Sequence, residues 1–555
     1  MTRFTLTGGD DVFPGTGQDA CGNDSIFGGL GNDSIRARQG RDLIHSGDGD
    51  DSAFGGIGND TITTGFDAGS KHFYGGHGRD NLTASDGDDL LFGGTGNDTI
   101  FGLFGSDTIF GGDGNDFVML NASSHDVVHG GAGFDTVRIE TNRLVSDGNP
   151  PAVLNVTADF TGELRTMTLN GHAGPILGNF EIAYVLTGSG NDSLLGGTEA
   201  DFFRSLGGTD YLEGGAGNDT LTADGGMATL LGGDGNDRIS VGIASTDTTS
   251  AMKMLDGGAG TDVLEVFQPL GDGDGRISIL LDQGGHAIRI GGGLVGTAAN
   301  FESLVYRETP HNFFNSRIRA GSGDDWLNVA DGRDTVRAGA GDDLVSKASG
   351  HYDLDGGSGI DVLRVGLGQG FRNLANLDFD ASQDLGTISL ANRGASGTFR
   401  NFEAFAVLAT TSADTLRGGS GDDTLMGSFG MDRLEGGLGT DRLYGGGGRA
   451  GNIFIFGSTD ESPAGAADLI VDFEWARDRN RIDLTAIDAA QSTAINDAFS
   501  FIGTAAFTAE GQIRVFQDGL HAVVQINTSG SDGAEMAIRL YQVDAATLSE
   551  ADFLL

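Results

Sequence analysis

The chain has 555 residues, of which 98 are Gly and only 7 are Pro, and a formal net charge of −46 at pH 7. Such a surface repels phosphate backbones and anionic lipid, which argues against nucleic acid or a membrane surface as partner and favours cations. A single cysteine, Cys21, excludes an intramolecular disulfide framework, and no apolar run approaches the length of a membrane span.

The first ten residues hold no apolar h-region and no cleavage signature, so export would need another signal. From there the chain repeats every nine residues. Residues 93–119 read GGTGNDTIF, GLFGSDTIF and GGDGNDFVM, with Gly at the fourth position, Asp at the sixth and a large aliphatic residue at the eighth. The sixth-position acid runs through Asp24, Asp33, Asp42, Asp51 and Asp60, slips across 64–74, and resumes at Asp80, Asp89, Asp98, Asp107 and Asp116. A ten-residue line, LNASSHDVVH, precedes Asp135. Later blocks carry Asp192, Asp201, Asp210, Asp219, Asp237 and Asp262, then Asp325, Asp334, Asp343 and Asp361, then Asp414, Asp423, Asp432 and Asp441.

Two positions after each Asp the residue is apolar, as at Ile26, Ile100, Leu194, Leu327 and Leu416, with Ala53 the one small member. This gives a short strand with one inward side chain, and the Gly-rich first half of each line gives a turn. Strand, turn, strand, turn makes an 18-residue coil, and stacked coils bury the aliphatic ladder between two thin sheets. The expected fold is all-β: a parallel β-roll or β-solenoid of nonapeptide repeats, interrupted by three related β-rich insertions and ending in a β-rich C-terminal cap.

The repeat blocks span 1–138, 187–265, 319–365 and 409–451. The insertions, 139–186, 266–318 and 366–408, each reach the same tripeptide: Asn179-Phe-Glu181, Asn300-Phe-Glu302 and Asn401-Phe-Glu403. They read as wider coils that continue the solenoid, with small lateral β domains as the other arrangement. Residues 452–555 lose the repeat and form a separate terminal unit of strands, turns and one short helix around 486–497.

A hard divalent cation such as Ca²⁺ takes six to eight oxygens from carboxylates and backbone carbonyls, and the repeat supplies both. Turns on one side of an 18-residue coil are two lines apart, so Asp residues 18 apart can share an ion. The pairs are 24/42, 33/51, 42/60, 80/98, 89/107, 98/116, 192/210, 201/219, 219/237, 325/343, 343/361, 414/432 and 423/441, about thirteen Ca²⁺ sites. The turn glycines expected beside them are Gly29, Gly31, Gly56, Gly58, Gly94, Gly96, Gly112, Gly114, Gly215, Gly217, Gly233, Gly235, Gly419, Gly421, Gly437 and Gly439. Ala228 and Tyr352 stand at Asp positions, so sites there should be weak or absent. Asp and Gly also form turns without any metal, but the long in-register array favours the ion.

The lines resemble the GGxGxDxUx nonapeptide of repeats-in-toxin (RTX) proteins, a resemblance that implies a Ca²⁺-binding parallel β-roll. The terminal unit resembles the C-terminal region of serralysin-type secreted proteases in Asp468-Leu-Ile-Val-Asp-Phe473, Arg481-Ile-Asp-Leu484, Ala498-Phe-Ser-Phe-Ile-Gly503 and Asp552-Phe-Leu-Leu555. That resemblance implies an uncleaved C-terminal signal read by a Gram-negative type I secretion machinery. The stretch 474–480 departs from the family in being longer and lacking Gly.

No HExxH zinc motif, GxSxG elbow or nucleotide-binding loop occurs, and His125 and His129 lie in a repeat line where a turn is expected. The paired acids Asp50-Asp51, Asp88-Asp89 and Asp422-Asp423 are the fifth and sixth repeat positions. The repeats begin near Met1, so no N-terminal catalytic domain is expected. The expected function is a secreted or cell-surface, Ca²⁺-folded, non-catalytic protein with a structural, adhesive or surface-layer-like role, with cell-surface glycan or self-assembly as further partners. The alternative is an extracellular carbohydrate-active enzyme or glycan-binding protein whose site lies in the insertions, where Glu181, Glu302 and Glu403 are the acids to suspect.

Overall fold

An aliphatic residue every nine positions, flanked by polar neighbours, can bury itself only on a short strand that shows one face inward. The computed structural model describes residues 2–6, 8–14, 22–65, 67–121, 125–141, 156–160, 164–170, 172–242, 253–267, 277–281, 287–290, 293–308, 315–329, 332–347, 350–366, 376–390, 396–447, 451–473, 480–492, 497–530 and 533–555. Among these residues there are strands and two 3₁₀ turns, and no α-helix. Cys21 lies outside the described residues. The chain divides into two compact units, Met1–Phe267 with Gly293–Phe301, and Gln268–Gly292 with Glu302–Leu555.

In the first unit successive coils stack in parallel. Leu90–Thr95 pairs with Thr108–Asp113, which pairs with Val127–Ala132; across the coil, Thr99–Leu103 pairs with Phe117–Asn121, which pairs with Thr136–Glu140. The eighth-position side chains Ile100, Ile109, Val118 and Val128 point inward and are fully buried. Ala53 is buried in the same ladder opposite Phe73. On the outer face of one sheet the half-buried rings of Phe54, Tyr74, Phe92 and Phe110 stack at centroid separations of 4.6, 4.9 and 5.0 Å, and His129 continues the stack at 5.4 Å. His129 therefore sits on a strand, where its ring adds a cross-strand contact.

The insertions continue the sheets. In the first, Val156–Asp159, Leu164–Leu169 and His172–Gly178 form an antiparallel meander whose last strand runs parallel to Val127–His129 and whose first runs parallel to Ser193–Leu195. One sheet thus gains three strands where a plain coil gives one. The opposite sheet gains only Ile182–Leu186. The third insertion repeats this with Leu377–Asp380, Gly386–Leu390 and Ser396–Arg400 between Tyr352–Asp355 and Thr415–Arg417. Of the second, Gly293–Ala299 extends the first unit beside Lys253–Asp256. Ile277–Leu280 pairs antiparallel with Ala287–Ile290 and parallel with Arg317–Arg319 in the second unit.

In the terminal region Ile453–Ile455, Arg481–Asp483 and Phe553–Leu554 extend one sheet in parallel, and Asp468–Ile470 joins Met536–Tyr541 in the other. Gln512–Asp518, His521–Asn527 and Met536–Tyr541 form an antiparallel meander. The helix expected around 486–497 is not formed in its described part. Residues 486–492 are turns, with Asp488 Oδ1 accepting bonds from the Ala490 and Asp497 amides. Residues 474–479, most of the stretch that departs from the serralysin pattern, lie outside the described residues.

Truncating one rung of the buried ladder leaves a hole between two thin sheets that cannot close around it. Ile100→Ala should lower unfolding stability in saturating Ca²⁺ by about 2–5 kcal/mol, measured by urea denaturation.

Candidate calcium-binding turns

Each ladder Asp sits where a Gly-rich turn enters a strand, so stacking the coils stacks the carboxylates in a row along each edge of the unit. The bond that repeats is a backbone one. Asp80 N–H donates to Asp98 Oδ1 at 2.8 Å, and Asp98 N–H donates to Asp116 Oδ1 at 2.8 Å. The same contact joins all thirteen pairs expected from 18-residue spacing: 24/42, 33/51 and 42/60; 80/98, 89/107 and 98/116; 192/210, 201/219 and 219/237; 325/343 and 343/361; 414/432 and 423/441.

The rows also run through positions that the spacing rule passes over. Asp60 bonds Asp80 across 20 residues, Asp107 bonds Asp126 and Asp116 bonds Asp135 across 19, Asp237 bonds Asp262 across 25, and Asp441 bonds Asp468 across 27. Where an insertion returns to the row, the tripeptide Glu takes the place of Asp. Glu181 Oε2 accepts from Asp135 N–H and Glu403 Oε2 from Asp361 N–H, each at 2.7 Å. The tripeptide Asn residues adopt φ of 52°, 54° and 54°, and Asn300 and Asn401 bond Asp256 and Asp355 through their side chains at 2.7 Å.

One carboxylate oxygen is therefore used by the backbone. The second oxygen, Oδ2 of Asp33, Asp42, Asp60, Asp80, Asp98, Asp116, Asp219, Asp343, Asp432 and Asp441 among others, is buried with no hydrogen-bond partner. Buried acceptors are almost always satisfied, so a whole row of unsatisfied ones points to an absent ligand. The space they face is defined by the first glycine of each line. A Cβ placed on Gly93 would stand 2.5 Å from Asp98 Oδ2 and 2.5 Å from the Gly111 carbonyl oxygen; on Gly111 it would stand 2.4 Å from both Asp116 Oδ2 and the Gly130 oxygen. Carboxylate and carbonyl thus converge on one point that only glycine leaves open, an oxygen pair of the kind Ca²⁺ takes. Among the described residues no group of three or more His, Cys, Asp or Glu side chains gathers to hold a metal, so carbonyls must supply part of the shell.

These first glycines were not singled out by the sequence reading, although the doubled GG marks them. The expected ones, Gly94, Gly96, Gly112 and Gly114, have φ of 117°, 118°, 120° and 135°, and Gly112 packs on Gly94 and Gly114 on Gly96 so closely that a Cβ would strike the carbonyl beneath. Gly29, Gly31, Gly56, Gly58, Gly215, Gly217, Gly233, Gly235, Gly437 and Gly439 share the positive φ. Gly419 N–H instead donates to Asp423 Oδ2 at 2.7 Å, and Gly421 packs against the Glu403 carbonyl.

Burial, reinforced by the neighbouring acids and opposed by the amide bond, pushes the carboxyls up from their ordinary value near 3.8. It reaches about 7 at Asp60, Asp98, Asp219, Asp343 and Asp441, and about 8 at Asp325, Asp423, Asp432 and Asp468. At these positions burial without an ion favours the protonated carboxyl, and a divalent cation must displace that proton.

The family model for the RTX calcium-binding nonapeptide repeat matches residues 22–53, 36–70, 74–108, 92–124, 109–137, 186–221, 222–243 and 312–345. The model for the serralysin C-terminal region of M10 peptidases matches residues 377–555. This is an RTX repeat chain with a serralysin-like C-terminal region. The serralysin-like match takes in the fourth repeat block as well as the terminal unit. No curated protein matches the chain. Among solved structures, the extracellular lipase LipA from Serratia marcescens matches at 17% identity and a TM-score of 0.15, over 46% of this chain and 45% of that one. The RTX chain thus spans less than half the length of that lipase.

Two outcomes follow from this geometry. Asp98 stands between two neighbours in its row, so Asp98→Asn should lower the number of Ca²⁺ bound at equilibrium dialysis by two, and Asp24→Asn, which has one partner in the row, by one. The raised carboxyls also fix a sign for pH. The stability they give the ion-free fold is complete below about pH 4 and is lost as pH rises through about 7 to 8. The calcium-stripped chain should therefore show more β signal in circular dichroism at pH 5 than at pH 8, and the reverse order would refute the assignment.

Proposed function

We propose that the RTX chain is an extracellular protein that stays unfolded until it meets Ca²⁺, leaves the cell through a type I machinery by means of a C-terminal signal, and then serves as a non-catalytic structural, adhesive or surface-layer-like scaffold. The observation that carries this reading is the row of buried, partnerless Oδ2 atoms. In a cytosol poor in calcium, mutual repulsion among the rows and the backbone entropy of 98 glycines oppose folding. At about 1 mM Ca²⁺, a site with a dissociation constant of about 0.1 mM adds about 1.4 kcal/mol, so a coupled set of about thirteen decides the equilibrium. Asp98 Oδ2 with the Gly111 carbonyl and Asp116 Oδ2 with the Gly130 carbonyl typify the oxygens that would hold the ions. The ion supplies the positive charge that lets the carboxylates ionise inside the turn.

The rival reading places a glycan or an active site in the insertions. An open hollow beside the third insertion, lined by Gln383, Arg400, Glu403, Glu435 and Glu461 among others, is where it would have to act. Against it stands the bond from Asp361 N–H to the Glu403 carboxylate, which supports a packing role for that acid.

Circular dichroism of the full chain in EDTA and in millimolar CaCl₂ at pH 7.5 tests the main reading. A large gain of β signal with Ca²⁺ is expected, and equal spectra would sink it. Export has its own test. Removing Phe553–Leu555 should abolish recovery of the chain outside an expressing cell that carries a type I system, while normal recovery would refute the signal. Glycan-array binding that survives Ca²⁺ saturation and is lost in Glu403→Gln would install the rival instead.

A further inference from the structure

The chain contains only three lysines, Lys71, Lys253 and Lys347, and every other strongly basic residue is Arg. All three lysines are buried, at 0, 3 and 2% exposure. Lysine is almost never buried to this degree without a specific partner. Each one lies where a row of Asp is broken.

Lys71 itself occupies a row position, between Asp51 and Asp89. Its N–H keeps the row bond to Asp89 Oδ1 at 2.7 Å, but it has no carboxylate to offer Asp51, whose N–H turns to the Ser70 carbonyl at 3.2 Å. Its Nζ reaches back into the turn, 3.4 Å from Asp51 Oδ2 and 3.1 Å from Asp67 Oδ1, and donates to the Gly49 carbonyl. Those are one row carboxylate, one further carboxylate and one turn carbonyl: the ligand types of a cation site.

The second break is at Ala228, which follows Asp210 in its row. Lys253 pairs with Ala228 in the next strand, and its Nζ donates to the Gly226 carbonyl at 2.8 Å, with its charge acting on Asp210. The third is at Tyr352, which follows Asp334. Here Lys347 enters from the preceding strand, forms an ion pair with Asp334 Oδ2 with both side chains fully buried, and lies 5.6 Å from the centroid of the Tyr352 ring.

We infer that the three ammonium groups are built-in cations that take the place of Ca²⁺ at these three breaks in the Asp rows, so that these turns close without metal. The inference rests on the reading that intact turns hold Ca²⁺. The choice of Lys fits the chemistry. A compact ammonium is a point charge whose three donors can be aimed at carboxylate and carbonyl oxygens on several sides, whereas the planar fork of a guanidinium suits a single carboxylate met side on. Arg is accordingly found on the half-exposed strand faces, as in the Arg238–Glu265 and Arg400–Asp355 pairs. On this inference the rows are supported in two ways, by exchangeable divalent ions along their length and by fixed monovalent charges at these three breaks.

The test is the Ca²⁺ stoichiometry of the full chain by equilibrium dialysis, wild type against Lys71→Asp. The substitution completes the row from Asp51 to Asp89 and should add at least one Ca²⁺ per chain; an unchanged count in a variant that folds overturns the inference. Amine labelling of the wild type followed by mass spectrometry decides the matter even where the variant does not fold. In millimolar CaCl₂ each lysine should react at least about 100-fold more slowly than in urea with EDTA. Labelling of any one at the unfolded rate overturns its assignment. A wild type that binds no Ca²⁺ overturns the calcium reading and this inference with it. A wild type that binds Ca²⁺ beside a folded Lys71→Asp that gains none overturns the inference alone.

Discussion

The fold depends on how a single carboxylate divides its two oxygens. One accepts the backbone amide of the coil before it, which fixes the register of the stack; Asp98 Oδ1 on Asp80 N–H is the repeated unit. The other is held inside the turn with nothing to bond. The first bond can form only by burying the second oxygen, so the contact that aligns the coils also creates the need for a cation. On the proposed reading, stability and metal dependence are two consequences of one geometry. The aliphatic ladder supplies the general burial that any solenoid requires, and the carboxylate rows make that burial conditional.

The second oxygen acts in a space that glycine keeps open, and two kinds of glycine do different work. Gly94 and Gly112 adopt a positive φ and lie so close across the stack that no Cβ fits between them. Gly93 has an ordinary φ but faces the point where Asp98 Oδ2 meets the Gly111 carbonyl. Replacing the first kind would strain the backbone, and replacing the second would fill the site.

Much of this was legible in the sequence. A nine-residue period with Asp and an aliphatic residue at fixed offsets dictates short strands, parallel coils and stacked acids, and every pair 18 residues apart is stacked. What a fixed offset could not find was Asp60 against Asp80, Asp107 against Asp126, or Asp441 against Asp468. Register is set by the strand ladder, and a loop between strands can take up any number of residues without disturbing it. The role of Glu181 and Glu403 was hidden for a related reason. A glutamate is one methylene longer than an aspartate, and only the left-handed turn at Asn179 or Asn401 brings its carboxylate back to the row amide. The reversed strand in each insertion left no sequence signal, because alternation looks the same in either direction.

This tolerance explains how a chain built from one motif carries insertions of some forty to fifty residues. Among the described residues each coil pairs with its neighbours in the stack, so a stack can be widened on one sheet by two extra strands if the row bond is re-made at the exit. Glu181 and Glu403 re-make it with a carboxylate, and Asn452 and Asn480 carry it onward with a neutral amide, where Asp432 N–H and Asn452 N–H still find their acceptors at 2.9 and 2.8 Å. The amide keeps the register bond and drops the charge. Along the row, then, the bond that aligns the coils and the buried carboxylate charge separate wherever the side chain changes from Asp to Asn, and the charge each coil contributes follows the identity of that one residue.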